Sequence, residues 1–237
     1  MATPYAIVEL ESAESTQDEA RARADGTTPV LVIAGNQSAG RGRLGRTWVE
    51  PDRALYSSLA FLPVWPTSAW SRIPLVAGLA VREAIAQLCG ITVGLRWPND
   101  LMSEVGKVGG LLVESGDGIA LVGCGINLLW VDPIGGAAAL FESGSDAVAP
   151  RDLATMWVDR FLERMNRPSV AWGIDEYRQA CVTIGRVVSY TSGSGTATGI
   201  SDDGALLVET ADGLVAIGSG EVRLHDPTTI LDNRRGT

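Results

Sequence analysis

The chain has 237 residues, of which 46% are hydrophobic and 20% charged, with a formal net charge of −9. That composition fits a globular protein with a substantial core and excludes a disordered, collagen-like or disulfide-stapled chain. Its longest apolar stretches are broken by Arg, Pro or Gly well before the ~20 residues a membrane span needs, so no membrane partner is expected. The three cysteines, Cys89, Cys124 and Cys181, are far apart and form no CxxC pair. Buried free thiols in a reducing cytoplasm account for them better than a zinc or dithiol site. The acidic balance opposes general affinity for nucleic acid. Three arginines within six residues (Arg41, Arg43 and Arg46) stand out against it and point to a locally held anion.

In chain order, 5–10 alternates as a short strand rather than a signal peptide. Thr16-Gln17-Asp18-Glu19 has a capping-box pattern that predicts a helix to about Ala24. A buried strand is expected over 30–34, followed by a glycine-rich loop from Gly35 to Arg46 and a strand over 55–62. Ile73, Val76, Ala77, Ala80, Val81, Ala84, Ile85 and Leu88 recur at helical spacing, with Pro74 in the first turn and Gly90 at the end, and predict a helix over 71–88. Strands are expected over 95–97, 110–114 and 119–123, the last two joined by the turn Ser115-Gly116-Asp117-Gly118. Helices should follow over 151–165 and 170–180. Beyond Gly185, short β-branched runs over 187–191, 196–200, 206–209 and 214–217 alternate with glycine turns, the texture of a small antiparallel barrel of about forty residues. The expected division is a catalytic domain over 1–183, a barrel over 184–226 and a loose polar tail over 227–237.

Three segments carry chemistry. In Gly40-Arg41-Gly42-Arg43 the glycines let backbone N–H groups converge on an anion, and the guanidinium groups add planar, permanently charged donors. Arg46 and Trp48 add a further cation and a stacking surface. The loop does not match GxxxxGK[ST], and its glycines open no helix as a GxGxxG dinucleotide fingerprint would; an exposed solubilising loop or an RNA contact remain the alternatives. In the second segment, Arg96-Trp97-Pro98-Asn99-Asp100 precedes Lys107-Val108-Gly109-Gly110-Leu111-Leu112-Val113-Glu114. A lysine at a strand end can serve a carboxylate or an α-phosphate, although taken alone Lys107 reads more simply as a surface residue in a turn. The third, Gly123-Cys124-Gly125-Ile126-Asn127, reads equally as a close approach of backbone to ligand at a strand end or as a tight turn. His225 lacks a neighbouring nucleophile motif, the remaining tryptophans read as core or interface aromatics, and Asp202-Asp203 reads as a turn.

Taken together, these segments resemble the biotin–protein ligase family. Residues 40–48 resemble its GRGRxGRxW loop at every defined position. Trp97-Pro98-Asn99-Asp100, the Lys107 to Glu114 segment and Gly123-x-Gly125-Ile126-Asn127 follow in the family's order. Ser15-Thr16-Gln17 resembles its early Ser-Thr-Asn element, and Ser219-Gly220-Glu221-Val222 its C-terminal domain. Gln17 stands where Asn is common, and Arg96 where Lys is common. The chain starts directly at the catalytic domain, so operator DNA is not an expected partner.

The resemblance implies an α+β fold: a mixed or antiparallel sheet with helices packed on it, similar to a class II synthetase, plus a C-terminal SH3-like β-barrel. It implies ATP-dependent activation of biotin to biotinyl-5′-AMP and transfer to a lysine of a biotin carboxyl carrier domain, with Mg2+ arriving with ATP and no dedicated metal ligands. Lys107 and Arg41 are the implied catalytic residues. The implied biotin-binding set is Ser15, Thr16, Gln17, Gln37, Gly40, Arg41, Gly42, Arg43, Lys107, Gly110 and Gly123. For ATP and the adenylate it is Arg43, Arg46, Trp48, Asn99, Lys107 and Asn127. The arginine loop is expected to be the moving part that folds over the adenylate. A sheet edge could pair two copies into a homodimer, which the residues leave undecided. A lipoate or octanoyl transferase could share the architecture but usually carries an Arg-Arg-x-Ser-Gly-Gly-Gly loop, absent here, and an RNA-binding module would need a basic aromatic stripe.

Overall fold

In the strands, side chains alternate between two faces, and the two faces of the main sheet meet different neighbours. The computed structural model describes residues 4–142 and 148–225, so the polar tail expected over 227–237 lies outside the described residues. Seven strands, β1 (Ala6–Leu10), β2 (Val30–Ala34), β3 (Arg53–Phe61), β4 (Gly94–Arg96), β5 (Asp100–Met102), β6 (Lys107–Gly116) and β7 (Ile119–Leu129), form one sheet in the order β1-β2-β3-β7-β6-β5-β4. Only β1 and β2 run parallel; every other neighbouring pair is antiparallel. The sheet is therefore mixed.

On one face, Leu31, Ile33, Leu55, Leu59, Phe61, Val122, Cys124 and Ile126 join the apolar stripes of α2 (Ile73–Cys89) and α3 (Pro150–Met165) in a single core. Trp157 on α3 is fully buried, and its indole N–H donates to Ser57 Oγ at 3.2 Å, fixing the helix against β3. Phe161, next along that stripe, meets Phe61 edge-on at 5.2 Å. Pro74 stands in the first turn of α2, and Gly90 ends it at φ 68°, a left-handed conformation that suits glycine. On the other face, α1 (Thr16–Arg23) packs only part of the sheet, through Ala20 against Val32 and Leu121. The rest of that face is left for a cleft.

The all-helix stretch expected over 170–180 is divided. A short 3-10 turn over Ser169–Ala171 precedes α4 (Ile174–Ala180), separated by Gly173 at φ 99°. After α4 the regular elements among the described residues are all strands: β8 (Val187–Tyr190), β9 (Gly193–Ile200), β10 (Leu206–Thr210), β11 (Gly213–Ile217) and β12 (Arg223–Leu224). Here the closed barrel is corrected. The five strands form an antiparallel sheet in the order β11-β10-β9-β8-β12, and its two end strands do not pair with each other. β12 has two residues, and Leu214, Val215 and Ala216 of β11 are exposed.

The C-terminal sheet is tied to the rest of the protein by side-chain bonds to its turns and strand ends: the Trp97 indole N–H donates to Gly204 O at 3.0 Å, and Arg178 on α4 donates to Ile200 O, while the Trp97 backbone N–H donates to Thr183 Oγ1 at 2.9 Å just before β8. Among the described residues no helix is long and apolar enough to cross a membrane.

Candidate functional site

The floor of the cleft follows from register. Tyr56 faces Gly125, Gly125 faces Gly110 and Gly110 faces Asp100, while one step along Ser58 faces Gly123 and Gly123 faces Leu112. Missing side chains at 110, 123 and 125 turn this band of the sheet into a trough. A Cβ at Gly125 would stand 2.9 Å from Trp48 Cζ2, and one at Gly123 would stand 2.5 Å from Gln17 Oε1. Gly123 to Asn127 is therefore not a turn but the interior of β7, paired on both sides. The cavity over this floor has a volume of about 520 Å³.

At one end of the cleft, Ser15, Thr16 and Gln17 enter from the start of α1. Gln37 Oε1 accepts from the Thr16 N–H at 2.9 Å and from Thr16 Oγ1 at 3.0 Å; Thr16 Oγ1 and Ser58 Oγ lie 2.8 Å apart, and Ser58 Oγ donates to Gln17 Oε1 at 3.3 Å. These polar groups are buried at 3–4% exposure for Ser15, Thr16 and Gln17. Such a pre-formed buried polar network offers a bound ligand both hydrogen-bond donors and acceptors.

At the centre, Lys107 heads β6, its backbone anchored by its N–H to Gly136 O at 2.9 Å. The ammonium lies 2.6 Å from Asp100 Oδ1 and 5.6 Å from the Trp48 ring centroid. Arg96 Nε donates to the other oxygen of Asp100 at 3.0 Å. One carboxylate thus holds two cations, and the lysine is fixed without being wholly neutralised by a private partner.

Across the opening lies the arginine loop, folded as a small hairpin. Arg41 bridges Thr47, the Trp48 N–H donates to Gly40 O at 2.9 Å, and a tight turn over Arg43–Gly45 carries Leu44 at φ 58° and Gly45 at φ 72°. Each arginine reaches a different part of the protein. Arg41 pairs bidentately with Asp18 on α1, at 2.6 and 2.7 Å. Arg43 donates to Asn99 Oδ1 at 3.0 Å and to Gly220 O at 2.6 Å, and Arg46 pairs with Glu221. Burial pulls the Arg43 guanidinium pKa below its ordinary range, whereas the hydrogen bond that Arg41 donates to Asp18 raises that of Arg41. The C-terminal sheet therefore supplies one wall, through Glu221, Val222, Arg223 and Leu224.

Of the residues singled out in the sequence, Ser15, Thr16, Gln17, Gln37, Arg41, Gly42, Arg43, Arg46, Trp48, Asn99, Lys107, Gly110 and Gly123 line the cleft together. Gly40 and Asn127 are not among its lining. Gly40 lies behind Gln37 and Trp48, where a Cβ would strike Gln37 Nε2 at 2.5 Å. Asn127 is buried, donating to Ala138 O at 2.8 Å and so tying β7 to the loop that follows. Sequence reasoning missed Tyr56, Ser58 and Asp100 as lining residues. The period-two alternation of β3, set opposite the glycines of β7, was the available signal for the first two.

Residues 10–130, just over half of the chain, match the model of the biotin/lipoate A/B protein ligase family, and residues 183–224 match that of the biotin protein ligase C terminal domain. The chain belongs to the biotin protein ligase family. The biotin–[acetyl-CoA-carboxylase] ligase of Mycobacterium tuberculosis is 33% identical, over 81% of this chain and 78% of its own. Among solved structures, the biotin protein ligase of Aquifex aeolicus in complex with biotin and ATP superposes with a TM-score of 0.76 at 26% identity, covering 93% of this chain and 98% of that one. The biotin protein ligase of Leishmania major in complex with biotinyl-5-AMP gives 0.66 at 26% identity, covering 94% and 100%. The two family models fall on the two sheets, so biotin protein ligase architecture accounts for both walls of the cleft.

Proposed function

We infer that the protein is an ATP-dependent biotin–protein ligase acting in the cytoplasm. Biotin and MgATP are its small substrates and a lysine of a biotin carboxyl carrier domain is its acceptor. The observation that carries this reading is that one ammonium and the three guanidinium groups of the arginine loop line a cleft whose glycine floor ends in a buried polar network.

In the first step an oxygen of the biotin carboxylate attacks the α-phosphorus of ATP. The bond from that phosphorus to the bridging oxygen breaks, and pyrophosphate leaves with the electron pair. Both reactants are anions, so bringing them together is costly unless fixed positive charge is waiting. Lys107, steadied by Asp100, would touch the carboxylate and the α-phosphate at once, and Arg41, held by Asp18 before substrate arrives, would share that duty at the biotin side. Ser15, Thr16, Gln17 and Gln37 orient the biotin ring through the network around Ser58. Arg43, Arg46, Trp48 and Asn99 serve the nucleotide. Gly42, Gly110 and Gly123 let the backbone approach the ligand; Gly40 and Asn127 act indirectly, by shaping Gln37 and Trp48 and by anchoring β7. In the second step the neutral amine of the acceptor lysine attacks the biotinyl carbonyl carbon. The carbon–oxygen bond to AMP breaks, and the amine proton passes to solvent.

Residues 184–226 are proposed to complete the nucleotide end of the site, since Gly220 and Glu221 already hold Arg43 and Arg46. Purified protein given MgATP and labelled pyrophosphate should show exchange that depends on biotin and is absent with lipoate. Exchange with lipoate alone would move the assignment to the lipoate branch, and exchange with neither acid would remove the ligase reading.

A further inference from the structure

Asp18 belongs to none of the sets described above. It lies in the first turn of α1, directly after the cleft-lining residues Ser15, Thr16 and Gln17, and helical geometry turns it outward while Thr16, Gln17 and Ala20 face inward. Its two oxygens take the two terminal nitrogens of Arg41 at 2.6 and 2.7 Å, a fork geometry that fixes direction as well as distance. The Arg41 hydrogen bond holds the Asp18 carboxyl below the usual carboxylate range. The loop's other two arginines reach Asn99, Gly220 and Glu221, toward the C-terminal sheet. Asp18 supplies the side-chain anchor at the opposite end, across the buried network of Thr16, Gln37 and Ser58.

We propose that Asp18 is a positioning residue that acts through Arg41, clasping the arginine loop over the biotin end of the cleft and setting how long the acyl-adenylate stays enclosed before transfer. The proposal rests on the ligase reading for its cargo but not for its mechanics. A mixed anhydride that escapes is lost to water, so a clasp on the loop favours transfer over leakage. The pair is exposed, at 41% for the Arg41 side chain and 54% for Asp18, so its hold is modest and salt-sensitive.

The test uses the full chain with Asp18→Asn, which removes the charge and keeps the shape, and Asp18→Glu, which restores it. Two rates are read: trypsin cleavage after Arg41, Arg43 or Arg46 in the ligand-free protein, and release of biotinyl-adenylate into solvent after a single round of synthesis. For Asp18→Asn both should rise by about five-fold, the upper range for an exposed ion pair. Asp18→Glu should restore most of the loss. Raising salt should bring the wild-type protein toward the Asn variant while barely moving the variant, and the melting temperature should stay unchanged. Equal cleavage and release rates in wild type and Asp18→Asn, or an identical salt response in both, would overturn the clasp. A wild-type protein that makes no adenylate would overturn the ligase reading instead, while the cleavage of empty protein still decides the role of Asp18.

Discussion

Lys107→Met should slow biotin-dependent pyrophosphate exchange by about 10²–10³-fold, the loss typical of removing one preorganised donor from a developing anion. Methionine keeps the length and the apolar stem, so the packing over Trp48 survives. Asp100 does not become an unpaired carboxylate in a half-buried place, because Arg96 stays on its other oxygen. Unfolding by urea should therefore give nearly the wild-type midpoint. The loss should appear in kcat, since charge contacts made at the reacting atoms strengthen as negative charge gathers at the α-phosphate. A raised KM for biotin with kcat preserved would instead make Lys107 a binding residue only.

The second large effect concerns a residue without a side chain. Gly125→Val should reduce adenylate synthesis by about 10²-fold while the protein still folds, because displacing bound groups by about 1 Å costs this much. The position is ordinary extended strand, so a β-branched residue meets no backbone penalty. What it meets is Trp48, whose ring carbons would stand 2.9–3.2 Å from the new Cβ, and the space above Gly110. Circular dichroism and melting temperature should remain close to wild type. Wild-type exchange in a folded Gly125→Val protein would show that the glycine trough is not where substrate lies.

Much of the framework is legible in the chain because local pattern and tertiary structure agree there. The 3.6-residue stripe of α2 faces the sheet, and the all-apolar run of β2 is buried on both faces. What could not be read is what depends on partners distant in sequence. β5, three residues long, has no periodicity of its own and exists because β4 and β6 flank it. Gly123-Cys124-Gly125 looks like a strand end by propensity. It is held as strand interior by β3 on one side and β6 on the other, and its glycines serve the cleft rather than a bend. The SH3-like barrel was expected from resemblance and glycine rhythm. Whether strands close depends on the pairing of the two end strands, which local residues do not encode.

The site shows the same division. Residue types marked groups that the fold brings to one cleft: guanidinium groups on a glycine loop, an ammonium at a strand head, polar groups before a helix. Their partners were hidden, because Arg41 finds Asp18 twenty-three positions away and Arg43 finds Gly220 on the other sheet. Asn127 illustrates the limit of motif reading. Its place beside two glycines suggested a ligand contact, yet its amide is turned inward to Ala138 O.

In the proposed reaction, fixed cations on a tethered loop and a strand head overcome the repulsion between two anions. The most direct test of that role is the single-turnover rate of biotinyl-adenylate formation in Lys107→Gln/Arg41→Gln, measured with biotin and MgATP both saturating. The double variant should bind both substrates yet form the anhydride at least as slowly as the slower single variant, about 10²–10³-fold below wild type. Formation at the wild-type rate would contradict that role.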